Sequence, residues 1–200
     1  MKTSIKTLFA TALSVLFLSA SASATFANDS LKTKKVSATN MNVNMVVVSG
    51  LVDVYLIQSD HENIKIVSNH VEEPALSIRK KGAKLMIEGA ENERVTMYVY
   101  LKDLKRIDAS EQATVRTQGN FNLDALQILL KDDAKANVNV KTKSLYTELK
   151  DQSALKLSGS TASHQLIKGS LAKIKMHEFN ADETQASSLT TAYAASKNKK

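Results

Sequence analysis

Four stretches of the chain repeat one pattern, and that repetition narrows the folds open to it. IDASEQATVRT (107–117), LKDDAKANVNV (130–140), LKDQSALKL (149–157) and LIKGSLAKIKM (166–176) each open on an aliphatic residue. Each passes through a small or turn-forming cluster and closes on alternating apolar residues. The closing residue lies eight positions after the opening one in all four: Ile107 to Val115, Leu130 to Val138, Leu149 to Leu157, Leu166 to Ile174. The closing positions follow one another at intervals of 23, 19 and 17 residues. Such intervals suit one rung of a β-solenoid, in which each turn of chain stacks on the one before. A single rung cannot bury its own apolar side. Its neighbours must do so, at roughly 1.5–3 kcal/mol for each fully buried Val, Leu or Ile. The pattern therefore places Val115, Val138, Leu157 and Ile174 inward, one above another, in a common hydrophobic column. Because the interval varies, an antiparallel β-sandwich with strands at similar spacing is the alternative.

The upstream half reads as strands too. Val52, Val54 and Leu56 alternate with Asp53, Tyr55 and Ile57, and Val95, Met97, Val99 and Leu101 with Thr96, Tyr98 and Tyr100. A period of two is the mark of a strand with one buried face. Asp60, Asn69, Pro74, Gly82, Gly89 and Asn92 punctuate these runs. No stretch here holds a helical period for three turns, so the expected class is all-β. Residues 121–130 (FNLDALQILL) fit a short helix or a strand. Residues 181–200, rich in Ala, Ser and Thr before a basic end, form a cap or a disordered tail.

The N-terminus carries an export signature. Lys2 and Lys6 precede an apolar core from Leu8 to Leu18, and Ala22-Ser23-Ala24 and Thr25-Phe26-Ala27 offer small-x-small cleavage sites. The apolar run is shorter than the roughly 20 residues a membrane-spanning helix needs. Cleavage after Ala27 leaves 173 residues, enough for one domain with a sizeable core. Residues 28–42 read as a flexible leader and residues 43–180 as the folded domain. There is no cysteine, which excludes disulfides and a lipid-modified Cys after the signal. The net charge of +7 is mostly an end effect: residues 28–196 hold 22 basic and 20 acidic residues. A balanced surface on an exported chain argues against nucleic acid.

Residues with chemical potential are scattered. His61, His70, His164 and His177 form no spaced pair of the kind zinc requires, and His61 between Asp60 and Glu62 reads as a solvated turn. Asp132 and Asp151 would lie close together if rungs stack, as acid–base or calcium-binding carboxylates do. Together with Asp133 they fit better as corner residues. Ser49-Gly50 and Ser158-Gly159 lack the Gly-x-Ser-x-Gly context of a nucleophile elbow, and no Gly-rich phosphate loop is present. Tyr55, Tyr98 and Tyr100 are the residues able to stack on a ligand. Tyr98 and Tyr100 share one strand face, where packing on a neighbouring strand competes with a platform role.

The stretches VVVSGLVDVYLIQSD (46–60) and VTMYVYLKDLKRIDASEQATVRT (95–117), with the rungs after them, resemble the head GIN domain of putative auto-transporter adhesins. The resemblance runs from about Val43 to Met176. It implies a right-handed parallel β-helix-like fold in an exported protein of a kind frequent in Bacteroidota, with no catalytic or ligand residues to carry over. The family's Ser-Gly-Ala turns are eroded: Ala109-Ser110, Asp132-Asp133 and Asp151-Gln152 replace them, and Gly169 keeps the glycine. The expectation is a non-enzymatic structural or adhesion module of the cell envelope, periplasmic, surface-held or released. It has no cofactor, no metal and no transmembrane segment in the mature chain. Its partner would be a protein or glycan, and Asn137, Asn139 and Lys156 would be typical contacts. The alternatives are a polysaccharide-binding or polysaccharide-cleaving β-helix protein, and a periplasmic protein whose Lys197, Lys199 and Lys200 tail touches anionic lipid.

Overall fold

A computed structural model describes residues 32–36, 41–68, 76–90 and 92–192. Residues 1–27, expected from sequence to be a signal, and the Lys197–Lys200 tail lie outside the described residues. The strands are β1 (Lys32–Val36), β2 (Met45–Ser49), β3 (Val52–Gln58), β4 (Asn63–Ser68), β5 (Leu76–Lys81), β6 (Lys84–Gly89), β7 (Val95–Leu101) and β8 (Arg106–Ala109). They continue as β9 (Thr114–Gln118), β10 (Phe121–Leu130), β11 (Lys135–Leu149), β12 (Ala154–Lys168) and β13 (Lys173–Ser188). Two expectations about boundaries meet structure here. β1 falls within the leader, and β13 passes through residue 180 without a break. The ambiguous 121–130 segment is a strand, its Phe121, Leu126, Ile128 and Leu130 buried among apolar neighbours.

All strands join one curled sheet that forms a half-barrel. Its path runs β1-β4-β7-β3-β9-β11-β10-β8-β2-β6-β5, with β12 on β11 and β13 on β12. The pairings are mostly parallel; only β1–β4, β4–β7 and β5–β6 are antiparallel among the described residues. An antiparallel sandwich is thereby overturned. Parallel neighbours need long connections between them, and the repeats supply these, since each return of the chain is itself a strand-rich segment.

The register explains why the sheet curls. Strand β11 pairs through residues 135–137 with β9, and through residues 140–149 with β10. One continuous strand therefore serves two wings of the sheet, and β12 copies it residue for residue. At the bend, Gly159 has φ of +99°, and a Cβ there would come within 2.1 Å of the Val140 carbonyl oxygen. Glycine lets the two backbones approach where any side chain would collide.

Inside the curl, apolar side chains stack strand on strand. Ile66, Met97, Val54, Val115, Ala136, Leu155 and Ile174 occupy one level of seven successive strands. All but Ile174 are buried. This corrects the column expected from sequence. Val115 lies on Ala136 rather than Val138, and Leu155 rather than Leu157 meets Ile174. All four expected residues do point inward. The error is a slip of two residues, which keeps every side chain on its own face and so leaves the alternation unchanged. A bulge opposite Leu157 compounds it, because Lys156 pairs with Lys175 while Ser158 pairs with Glu178.

Burial falls at the last strand, where Ile174, Met176 and Phe179 are only half-buried against the core. Leu157→Ala should therefore destabilise the fold by about 2–5 kcal/mol, and Ile174→Ala by clearly less. Urea unfolding of both variants checks this, and equal losses would contradict the described packing.

Candidate binding face

Two of the carboxylates singled out in the sequence, Asp132 and Asp151, meet at one corner. Glu111, Asp132 and Asp151 occupy equivalent turn positions in successive returns, with φ of 57°, 56° and 50°. Left-handed backbone of this kind is costly for most side chains and least so for Asp, Asn and Gly. The Glu111 N–H donates to the Asp132 carboxylate at 3.0 Å, and the Asp132 N–H donates to Asp151 at 3.1 Å. The Asp132 and Asp151 carboxylates thereby hold the corner. Behind them Ala113, Ala134, Ser153 and Ala172 form a small buried column, and the Ser153 hydroxyl donates to the Lys150 carbonyl at 2.6 Å. Asp132 and Asp151 are thus neighbours, as stacking required, in a role that is architectural.

The histidines do not meet. His61 is exposed in the turn between β3 and β4 and His177 is exposed on β13, and His70 lies outside the described residues. No group of three or more His, Asp or Glu able to hold a metal ion occurs among the described residues. His164 is buried, with Nε2 at 2.9 Å from the Thr147 hydroxyl and its ring edge-to-face with Phe179 at 5.6 Å. Its Nδ1 has no partner among the described residues. Burial pushes the imidazole below its usual range, so it sits neutral in the core. Ser49-Gly50 is likewise a packing device, since a Cβ on Gly50 would come within 2.2 Å of the Gly89 carbonyl oxygen. Gly50 and Gly159 each bring a backbone close.

The outward face of β4, β7, β3, β9, β11, β12 and β13 has a different character. At the level of the apolar column, shifted by one residue, the cross-strand row reads Lys65, Tyr98, Tyr55, Arg116, Asn137, Lys156 and Lys175. At about 4.8 Å per strand the row is roughly 29 Å long. The Tyr55 and Tyr98 rings stack with centroids 5.0 Å apart and planes at 19°. The Lys65 ammonium sits 5.2 Å from the Tyr100 ring centroid, within reach of a cation–π attraction. The neighbouring level adds Lys135 and Lys173. Two carboxylates interrupt the face, and each is paired: Asp53 with Arg94 at 3.0 Å, Glu178 with Lys156 at 3.2 Å.

Of the contacts named from sequence, Asn137 and Lys156 are exposed on this row. Asn139 is partly used internally: its N–H donates to the Thr117 hydroxyl at 2.7 Å, and its amide donates to Asn120 at 2.9 Å. The tyrosines share the face, and packing on the next strand takes up one ring surface of Tyr55 and of Tyr98. Arg116, Lys65 and Lys175 went unnoticed in the sequence. Each sits at an outward alternate position, and only the register brings them into line.

The fold is thus a curled, mostly parallel β-sheet with an open outer face. The family model for the putative auto-transporter adhesin, head GIN domain, matches residues 42–196, and the chain belongs to that family. No curated protein matches the sequence. Among solved structures it is similar to a putative adhesin from Bacteroides fragilis, with 16% identity, a TM-score of 0.66, and coverage of 79% of this chain and 76% of that one. A putative adhesin from Parabacteroides distasonis gives 15% identity, a TM-score of 0.61, and coverage of 79% and 78%. A putative lipid binding protein from the same organism gives 11% identity, a TM-score of 0.62, and coverage of 78% of each chain. At these identities the likeness is one of fold.

Two outcomes follow from the corner and the buried histidine. Asp132→Val should cost about 1–3 kcal/mol more than Asp132→Gly, since glycine takes the corner's left-handed φ without strain and a β-branched side chain does not; thermal melts of the pair check this. His164 is held neutral when folded and regains an ordinary pKa of about 6.5 when unfolded. Its contribution is therefore complete above that pH and is lost as the pH falls below it, because the unfolded chain binds the proton first. The stability of the parent relative to His164→Leu should fall from pH 7 to pH 5, and a pH-independent difference would contradict it.

Proposed function

We propose that this chain is an exported, non-catalytic binding module of the cell envelope, built as a right-handed parallel β-helix-like solenoid. The observation that carries the reading is the use made of its carboxylates. Asp132 and Asp151, the pair best placed for acid–base work, accept backbone N–H groups at a strained corner. The sheet face beside them offers broad contact area, and the cleft that Asp151 lines with Leu166, Lys168 and Leu171 holds no second carboxylate for acid–base work. Membership of the family of the putative auto-transporter adhesin, head GIN domain, and the likeness to a putative adhesin and a putative lipid binding protein support binding over turnover. The returns of 19–21 residues, from Ala109 to Leu130, Leu149 and Lys168, support the solenoid.

In this reading residues 1–27 are a cleaved signal, 28–42 a leader, 43–180 the body of the solenoid and 181–200 its cap and basic tail. The mature chain works in the periplasm, at the cell surface or outside. No helix among the described residues is long and apolar enough to cross a membrane. N-terminal sequencing of the exported protein should find cleavage after Ala24 or Ala27. The mature protein should co-sediment with isolated envelopes and release no reducing ends from a panel of polysaccharides, with or without calcium. Turnover abolished by Asp132→Ala would overturn the reading.

A further inference from the structure

The row through Tyr55 and Tyr98 narrows what the binding face can take. Sugar platforms work through an exposed aromatic surface, but here the two rings cover each other at 5.0 Å. What remains along the row is charge and hydrogen-bonding capacity. Lys65, Arg116, Lys135, Lys156, Lys173 and Lys175 lie on this face, and both of its carboxylates are already neutralised by ion pairs. Among the described residues Arg116, Lys135, Lys173 and Lys175 have no ion-pair partner. The body of the chain is nearly balanced in charge, so this excess is local rather than a consequence of composition.

The arrangement is also linear. Parallel strands repeat every 4.8 Å or so, and the cations sit at one or two adjacent levels, forming a track across the strands. A flexible polyanion with regularly spaced charges complements such a track, whereas a compact acidic protein would meet only part of it. A lipid bilayer fits less well. Docking on a membrane calls for exposed apolar anchors, and the exposed large apolar side chain among the described residues, Leu171, lies at a corner off this face.

We infer that the outward face of β4, β7, β3, β9, β11, β12 and β13 docks a linear acidic polysaccharide lying across the strands. The inference rests on the proposed binding-module function and supplies its ligand class. Recognition is by Lys and Arg on carboxylate or sulfate groups, with Asn137 and the tyrosine hydroxyls as hydrogen-bonding neighbours.

The test measures binding of the mature protein to alginate, to neutral dextran and to phosphatidylglycerol vesicles. Two variants lose the same charge: Arg116→Gln/Lys135→Gln/Lys175→Gln on the face, and Lys80→Gln/Lys81→Gln/Lys84→Gln on the distant β5–β6 hairpin. Circular dichroism confirms that both fold. Alginate should bind and dextran should not, with affinity falling as salt screens the charges. The face variant should weaken alginate binding about tenfold and the hairpin variant by less than about twofold. Equal weakening by the two variants would overturn the assigned face. Vesicle binding without alginate binding would replace the polymer with a lipid surface. If alginate fails while envelopes still bind, only the ligand class falls; if neither binds, the proposed function falls with it.

Discussion

The fold depends on one stack of side chains. From Ile66 through Met97, Val54, Val115, Ala136 and Leu155 to Ile174, an apolar residue of each strand rests on that of the next. No strand could bury this stripe alone. Parallel pairing adds backbone hydrogen bonds that hold the register, such as Lys135 N–H to the Ala113 carbonyl at 2.9 Å and Ala154 N–H to Ala134 at 2.9 Å. Because each residue is supported by its neighbours above and below, the half-exposed last strand is the weakest layer. Its charged residues, Lys173, Lys175, Glu178, Asp182 and Glu183, discourage further strand addition at that edge.

Corners make the stack possible. A chain that returns onto itself every 19–21 residues must turn sharply at fixed places, and it does so with few glycines. Glu111, Asp132 and Asp151 adopt left-handed backbone, and the carboxylates of the two aspartates offset part of the cost by accepting the N–H of the return before. Glycine serves where backbones nearly touch, at Gly50 and Gly159, and takes positive φ in open turns at Gly82 and Gly119. The same economy appears in the buried polar groups. Thr142 and Thr161 donate to carbonyls two residues on, at 3.1 Å each, so the bend between the wings leaves their hydroxyls satisfied.

The interior leaves the exterior free to carry function. Inward positions are committed to packing and outward ones are not, so the outer face can gather cations that repel one another modestly. The stacked core supports that cost. Basic residues from five of the seven strands form one track because the strands are level, and a displacement of any of them would scatter it.

Much of this was legible in the chain itself. Alternation in β3 and β7 and the repeats after Leu104 fixed the all-β class and which side chains face inward, since a strand exposes its faces in strict period two. The turn clusters marked the corners, and Asp132 and Asp151 were placed as neighbours. Register was not legible. A shift of two residues preserves every inward and outward assignment, so Val138 and Ala136 were equally good partners for Val115 by pattern. Only the tertiary structure chose, by where the left-handed corner residues must lie over one another. That choice also assembled the row from Lys65 to Lys175, whose members lie far apart in sequence and share nothing local. Period-two patterning is a property of one strand, whereas alignment between strands belongs to the packed molecule.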